Sequence, residues 1–122
     1  MRTLLAVLAL SQSLVLSLPA TAGETDQAAA IEALRQPNAI LIDVRTPEEV
    51  AEGTLSGARN IGYEDIGQRI AEVAPDKNTP IVLYCRSGRR SSVAQDSLQE
   101  LGYSRVINGG GYLDLKTALD KD

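Results

Sequence analysis

The residues able to do chemistry gather in one place. Cys85 is the only cysteine of the chain, and the string YCRSGRRSS over 84–92 surrounds it with Arg86, Ser87, Gly88, Arg89, Arg90 and Ser91. The protein as a whole is acidic, with a formal charge of −4, so bulk composition does not account for three arginines beside one thiol. Cysteine acts as a nucleophile in its thiolate form, which nearby cations and inward-turned peptide N–H groups favour. The same arginines can gather an anionic substrate into an otherwise acidic protein. The chain has no histidine. That removes the usual general base, every Ser-His or Cys-His pair and the commonest metal ligand. With a single cysteine it also argues against a zinc site, and no motif implies a cofactor. A core cysteine followed by a solvated basic turn is the plainer alternative.

The elements that must position this loop follow from hydrophobic patterning. IVLYC, 81–85, is a short apolar run that suits a strand covered on both faces, and the spacing predicts a helix over SSVAQDSLQELG beginning near Ser91. Ala94, Leu98 and Leu101 mark the inner stripe of that helix, with Gly102 as its stop. A strand passing into a helix through so tight a turn aims backbone N–H groups at the cysteine sulfur. Gly88 permits the backbone angle needed, Ser91 or Ser92 can cap, and the helix start adds partial positive charge. Upstream, TDQAAAIEALR reads as a helix capped by Thr25 or Asp26 with Ile31 and Leu34 inward, and AILIDV, 39–44, as a second covered strand. Thr46, Pro47 and Glu49 form a capping box opening a short helix closed by Gly53. GARNI is a brief strand, 63–73 a helix with Ile66, Ile70 and Val73 inward, RVIN a strand, GGG a sharp loop, and YLDLKTALDKD a closing helix. Strands alternating with helices imply an α/β parallel sheet, whose ligands bind beyond the carboxyl ends of the strands.

The first residues, MRTLLAVLALSQSLVLSLPATA, place Arg2 before an apolar run and small residues at the end, the pattern of an export signal cut after Ala22. Residues 1–22 are therefore expected to be a cleaved signal and 23–122 a single domain, with the mature formal charge at −5 once Arg2 is lost. Such a chain has no general attraction for nucleic acid, or for a membrane after cleavage. An exported protein normally pairs its cysteines, so an unpaired Cys85 suggests a working thiol or an intermolecular bridge.

CRSGRRS resembles the active-site loop of the rhodanese family, with Cys85, Gly88, Arg90 and Ser91 on its defining positions. LIDVRTPEEVAEGTLSGARNI, 41–61, resembles the other rhodanese signature, including Asp43 and Arg45. With the signal, the chain looks most like the single-domain periplasmic members of the phage-shock type. The resemblance implies a three-layer fold with a central parallel sheet of about five strands and helices on both faces. It also implies a thiosulfate sulfurtransferase in which Cys85 becomes a persulfide and hands its sulfur to cyanide or a thiol acceptor, with a protein acceptor left open. Arg86, Ser87, Gly88, Arg89, Arg90 and Ser91 would form the substrate loop. Asp43 and Arg45 read better as an ion pair fixing the scaffold than as reacting groups. Gly109, Gly110 and Gly111 lack the Lys-Ser or Lys-Thr of a phosphate cradle and are better read as letting the backbone pass close to the rim of the site. The chain departs from the family at Thr54, often histidine, and at Tyr112, often tryptophan.

Three other readings compete. A cysteine phosphatase or arsenate reductase also holds an anion in a cysteine loop, but places its arginine one residue further along. A non-catalytic module could carry sulfur or bind a partner. A redox-sensing thiol would need an exposed sulfur of lowered pKa.

Overall fold

The computed structural model describes residues 24–122; the expected export signal, 1–22, lies outside the described residues. The elements run α1 (Gln27–Leu34), β1 (Ile40–Asp43), α2 (Pro47–Glu52), β2 (Arg59–Asn60), α3 (Ile66–Val73), β3 (Ile81–Cys85), α4 (Arg89–Glu100), β4 (Val106–Gly111) and α5 (Tyr112–Asp120). The sheet order is β2-β1-β3-β4 and every pair is parallel. The chain moves outward in one direction after β1 and in the other after β3. The crevice of a doubly wound sheet therefore opens between the carboxyl ends of these two strands.

Alternation along β3 sorts its side chains between two cores. Ile81, Leu83 and Cys85 join Ile42, Ile66, Ile70, Ala94 and Leu98 on the α3/α4 side. Val82 and Tyr84 join Ala30, Ala33, Leu41 and Leu115 on the α1/α5 side. Each fully buried Ile or Leu contributes about 1.5–3 kcal/mol, which explains why the two central strands carry almost nothing polar. Cys85 thus enters the site from the α4 side of the sheet.

Four expectations need correction. The sheet has four strands rather than five. Thr25 makes only an isolated parallel bridge to Asn108, because Asp26 then caps α1 by accepting from Ala29 N–H at 2.9 Å. The helix after Cys85 begins at Arg89, not near Ser91, since Gly88 in the left-handed region (φ 95°) turns the chain directly into it. Neither Ser91 nor Ser92 caps it. In α4, Ser91 and Gln95 join Ala94 and Leu98 on the buried side while Leu101 is exposed; in α1 it is Ala30 and Ala33 that bury, with Ile31 and Leu34 only half-buried. Finally, Gly109 to Gly111 belong to β4 rather than to a loop. Between the pairs Leu83–Asn108 and Cys85–Gly111, β4 spends one residue more than β3, a bulge placed beside the site. Gly111 must be glycine, because a Cβ there would lie 2.5 Å from the Arg86 carbonyl oxygen. The backbone does pass close to the rim.

Candidate active site

Only Arg86, Ser87 and Gly88 separate β3 from α4. The turn folds over the sulfur: Gly88 N–H donates to Cys85 Sγ at 3.0 Å, and Ser91 Oγ lies 3.4 Å from it. Burial alone would raise the Cys85 pKa. The Ser91 hydroxyl and the backbone N–H groups of Ser91, Ser87 and Gly88 outweigh it, so the thiol sits below its ordinary value. A side chain at position 88 would have to adopt φ 95° with its Cβ 2.9 Å from Thr25 Oγ1, so the cradle depends on glycine there.

The arginines serve differently from one another. Arg90 reaches across to α2 and donates to both Glu49 oxygens, at 2.6 and 2.9 Å. The thiolate is therefore favoured chiefly by peptide N–H groups and a hydroxyl, while Arg90 fastens the first turn of α4 to α2. Arg86 and Arg89 are exposed on the loop and the first turn of α4. Glu49 also completes the capping box of α2 with Thr46, as the sequence suggested. Hydrogen bonds from the Arg90 guanidinium hold Glu49 down at about 2, against an ordinary value of 4.5. Its contribution is therefore fully present above pH 4.5 and is lost as the pH falls through about 2. The stability gap between wild type and Glu49→Gln should narrow over that interval in urea titrations. A gap constant from pH 7 down to about 2 would mean that the pair contributes nothing.

Asp43, abreast of Tyr84 in the sheet, is 0% exposed and Arg45 6%. Asp43 accepts from Arg45 N–H and Nε at 3.0 Å, from Nη2 at 2.7 Å and from Thr54 Oγ1 at 2.9 Å. Burial pushes Asp43 up, and the bonds from Arg45 and Thr54 bring it below its usual range. Arg45 also donates to the Gly53 carbonyl at 2.6 Å and lies 4.6 Å over the Tyr112 ring. Such contacts are consistent with an ion pair that fixes the scaffold. They also give Thr54 and Tyr112, the two departures noted above, structural work, since Thr54 Oγ1 bonds both Asp43 and the Tyr84 hydroxyl.

Two cavities flank the loop. One of about 310 Å³ is lined by Arg45, Thr46, Pro47, Tyr63, Arg69 and Arg90 among others, and one of about 200 Å³ by Arg45, Glu49, Gly53, Arg86, Tyr112 and Leu113 among others. Cys85 lines neither and is 0% exposed, so the sulfur lies closed beneath its loop. Among the described residues, no cluster of three His, Cys, Asp or Glu could hold a metal ion, and no helix is long and apolar enough to cross a membrane.

The sequence reading missed Asn108. It is buried at the β4 bulge, with Oδ1 accepting from Ser91 Oγ at 2.7 Å and from Gly110 N–H at 2.9 Å, and Nδ2 donating to the Gly88 carbonyl at 3.0 Å. The reading also missed Glu49 as the partner of Arg90. An asparagine in an apolar strand directly before three glycines was the available signal for the first; for the second there was none.

A parallel sheet covered on both faces, with a cysteine loop at the carboxyl end of a central strand, defines a rhodanese-like domain. The chain belongs to that family, whose model matches residues 26–117. Thiosulfate sulfurtransferase PspE of Escherichia coli is 43% identical over 74 residues, spanning 61% of this chain and 71% of that protein. Among solved structures, a rhodanese with anions from E. coli superposes with a TM-score of 0.61 at 42% identity, covering 62% of this chain and 89% of that one. The human single-domain sulfurtransferase TSTD1 superposes with a TM-score of 0.62 at 27% identity, covering 80% of this chain and 96% of that one.

Proposed function

We propose that this protein is a sulfurtransferase that moves the outer sulfur of thiosulfate through a persulfide on Cys85. The observation that carries the reading is the Cys85 sulfur held 3.0 Å from the Gly88 N–H at the start of α4. The thiolate attacks the outer sulfur of thiosulfate, forming a new S–S bond. The old S–S bond breaks and its electron pair leaves with sulfite. Cyanide or a thiolate acceptor then attacks the outer persulfide sulfur and returns Cys85 as thiolate, so no oxidant or reductant is consumed. The amides of Ser87, Gly88 and Ser91 are placed to hold the persulfide charge, as an oxyanion hole holds oxygen. Because Cys85 is enclosed, thiosulfate must first gain access to the sulfur. The basic head and apolar run of residues 1–22 support export, and with the family resemblance they favour a periplasmic location.

Steady-state thiocyanate production from thiosulfate and cyanide tests the proposal. Parallel double-reciprocal lines are expected, the mark of a ping-pong route. Phosphate release from a model ester, without thiocyanate, would favour the phosphatase reading. Thiosulfate-dependent sulfur uptake that only a protein acceptor can discharge would make the chain a dedicated carrier.

Arg86 and Arg89 carry the charge that meets a dianion. Replacing both by alanine should raise the thiosulfate KM about tenfold or more, the loss of one or two charge-assisted hydrogen bonds, with kcat nearly unchanged. Unchanged kinetics would make these charges bystanders.

A further inference from the structure

We propose that Asn108 is a positioning residue that competes with the Cys85 sulfur for the single hydroxyl proton of Ser91, and so sets how readily that sulfur ionises. The inference deepens the sulfur-transfer reading and rests on it only for the use made of the thiolate.

Ser91 is 0% exposed, and its Oγ has three neighbours that can accept a proton: Asn108 Oδ1 at 2.7 Å, the Gly88 carbonyl at 3.1 Å and Cys85 Sγ at 3.4 Å. A hydroxyl has one proton to give. The Asn108 carboxamide cannot turn over to relieve the competition. Its Nδ2 donates to the Gly88 carbonyl and its Oδ1 accepts from Gly110 N–H. A reversed amide would set oxygen against oxygen at the first and N–H against N–H at the second. The atom facing Ser91 is therefore an acceptor, and at 2.7 Å it competes for the Ser91 proton.

While Cys85 is a thiol every demand is met: its S–H points to Ser91 Oγ, and the Ser91 O–H points to Asn108. Once the sulfur ionises it becomes the stronger acceptor. If the hydroxyl turns to the sulfur, two oxygens are left 2.7 Å apart with no proton between them. If it stays, the thiolate keeps only its amide donors. Asn108 thus restrains a thiolate that the Gly88, Ser87 and Ser91 amides favour, and Ser91 supports the anion only by releasing Asn108. Asn108 holds the last regular position of β4, paired with Leu83, just before the bulge.

The charged and titratable groups around β3 are accounted for separately. β1 ends in Asp43 paired with Arg45, and α2 offers Glu49 paired with Arg90. Arg86 and Arg89 are exposed, Tyr63 lies within reach of Arg90, Tyr84 faces the opposite core, and β4 carries no titratable side chain. None of these is altered by a substitution at 91 or 108.

The test is a pH titration of the thiolate by its ultraviolet absorbance, with Cys85→Ser as the blank, on wild type, Asn108→Ala, Ser91→Ala and the double variant. Removing the competing acceptor should leave about three- to tenfold more thiolate relative to thiol at pH values below the midpoint. The same substitution should have no such effect in the Ser91→Ala background. An Asn108 that merely supports the loop gives the opposite sign, because a loosened cradle loses amide donors and the midpoint rises. A midpoint raised or unmoved by Asn108→Ala, or moved equally without Ser91, would overturn the proposal. Should Asn108→Ala fail to fold, wild-type protein carries the test by NMR. The Asn108 side-chain carbonyl carbon should titrate with the sulfur's midpoint and cease to do so in Ser91→Ala. A resonance that stays fixed, or that still moves without Ser91, would overturn it equally. No turnover enters either readout, so a failure of thiosulfate as donor leaves these results legible.

Discussion

Cys85→Ser is expected to abolish sulfur uptake and to lower thiosulfate turnover by at least about a thousandfold, while leaving the fold intact. A serine hydroxyl ionises far above a thiol, and the few hydrogen bonds of this loop cannot bring it into the neutral range. An oxygen at the same position also cannot form the S–S bond on which the second half-reaction depends. The variant should nevertheless fold. The serine oxygen inherits the Gly88 N–H donor and the Ser91 hydroxyl, so the new buried polar atom is not left without partners. Urea midpoints should agree within the equivalent of about 1 kcal/mol. Residual turnover near wild type in a variant confirmed by mass would place the chemistry elsewhere.

Asp43→Ala is expected to have the largest effect on stability, about 3–5 kcal/mol. The carboxylate lies in the core and is the anion that Arg45 meets through three of its N–H groups, one of them on the backbone. Its removal leaves the Arg45 guanidinium almost completely buried with the Gly53 carbonyl and the faces of Tyr84 and Tyr112. Thr54 loses an acceptor as well. A domain of this size has only about 5–15 kcal/mol in total, so the variant should unfold at much lower urea. Because Asp43 pairs abreast of Tyr84, one residue before Cys85, activity should fall in proportion to the folded fraction. A loss below about 1 kcal/mol accompanied by a large fall in kcat would instead make Asp43 a reacting group.

What could be read from the sequence was local. IVLYC matched its strand residue for residue because a run covered on both faces has no need of polar positions. The Thr46–Glu49 capping box was legible because all its atoms lie within one helical turn. What escaped was tertiary. Glu49 and Arg90 are far apart in the chain, and the sequence assigned Glu49 only to its cap and Arg90 to the loop and substrate. Gly109 to Gly111 looked like a loop because glycine favours loops, whereas here the lack of side chains lets β4 lie against Thr25 and the Arg86 carbonyl. The start of α4 was placed too late because two serines suggested a cap, while the left-handed turn at Gly88 had already begun the helix.

Sulfur transfer by this domain requires that its enclosed thiol accept sulfur. Intact-mass measurement of the native protein after incubation with thiosulfate tests it most directly. One added sulfur atom per chain is expected, located on the peptide containing Cys85 and removed by cyanide as thiocyanate. An unchanged mass in protein whose Cys85 is verified as reduced would contradict the account.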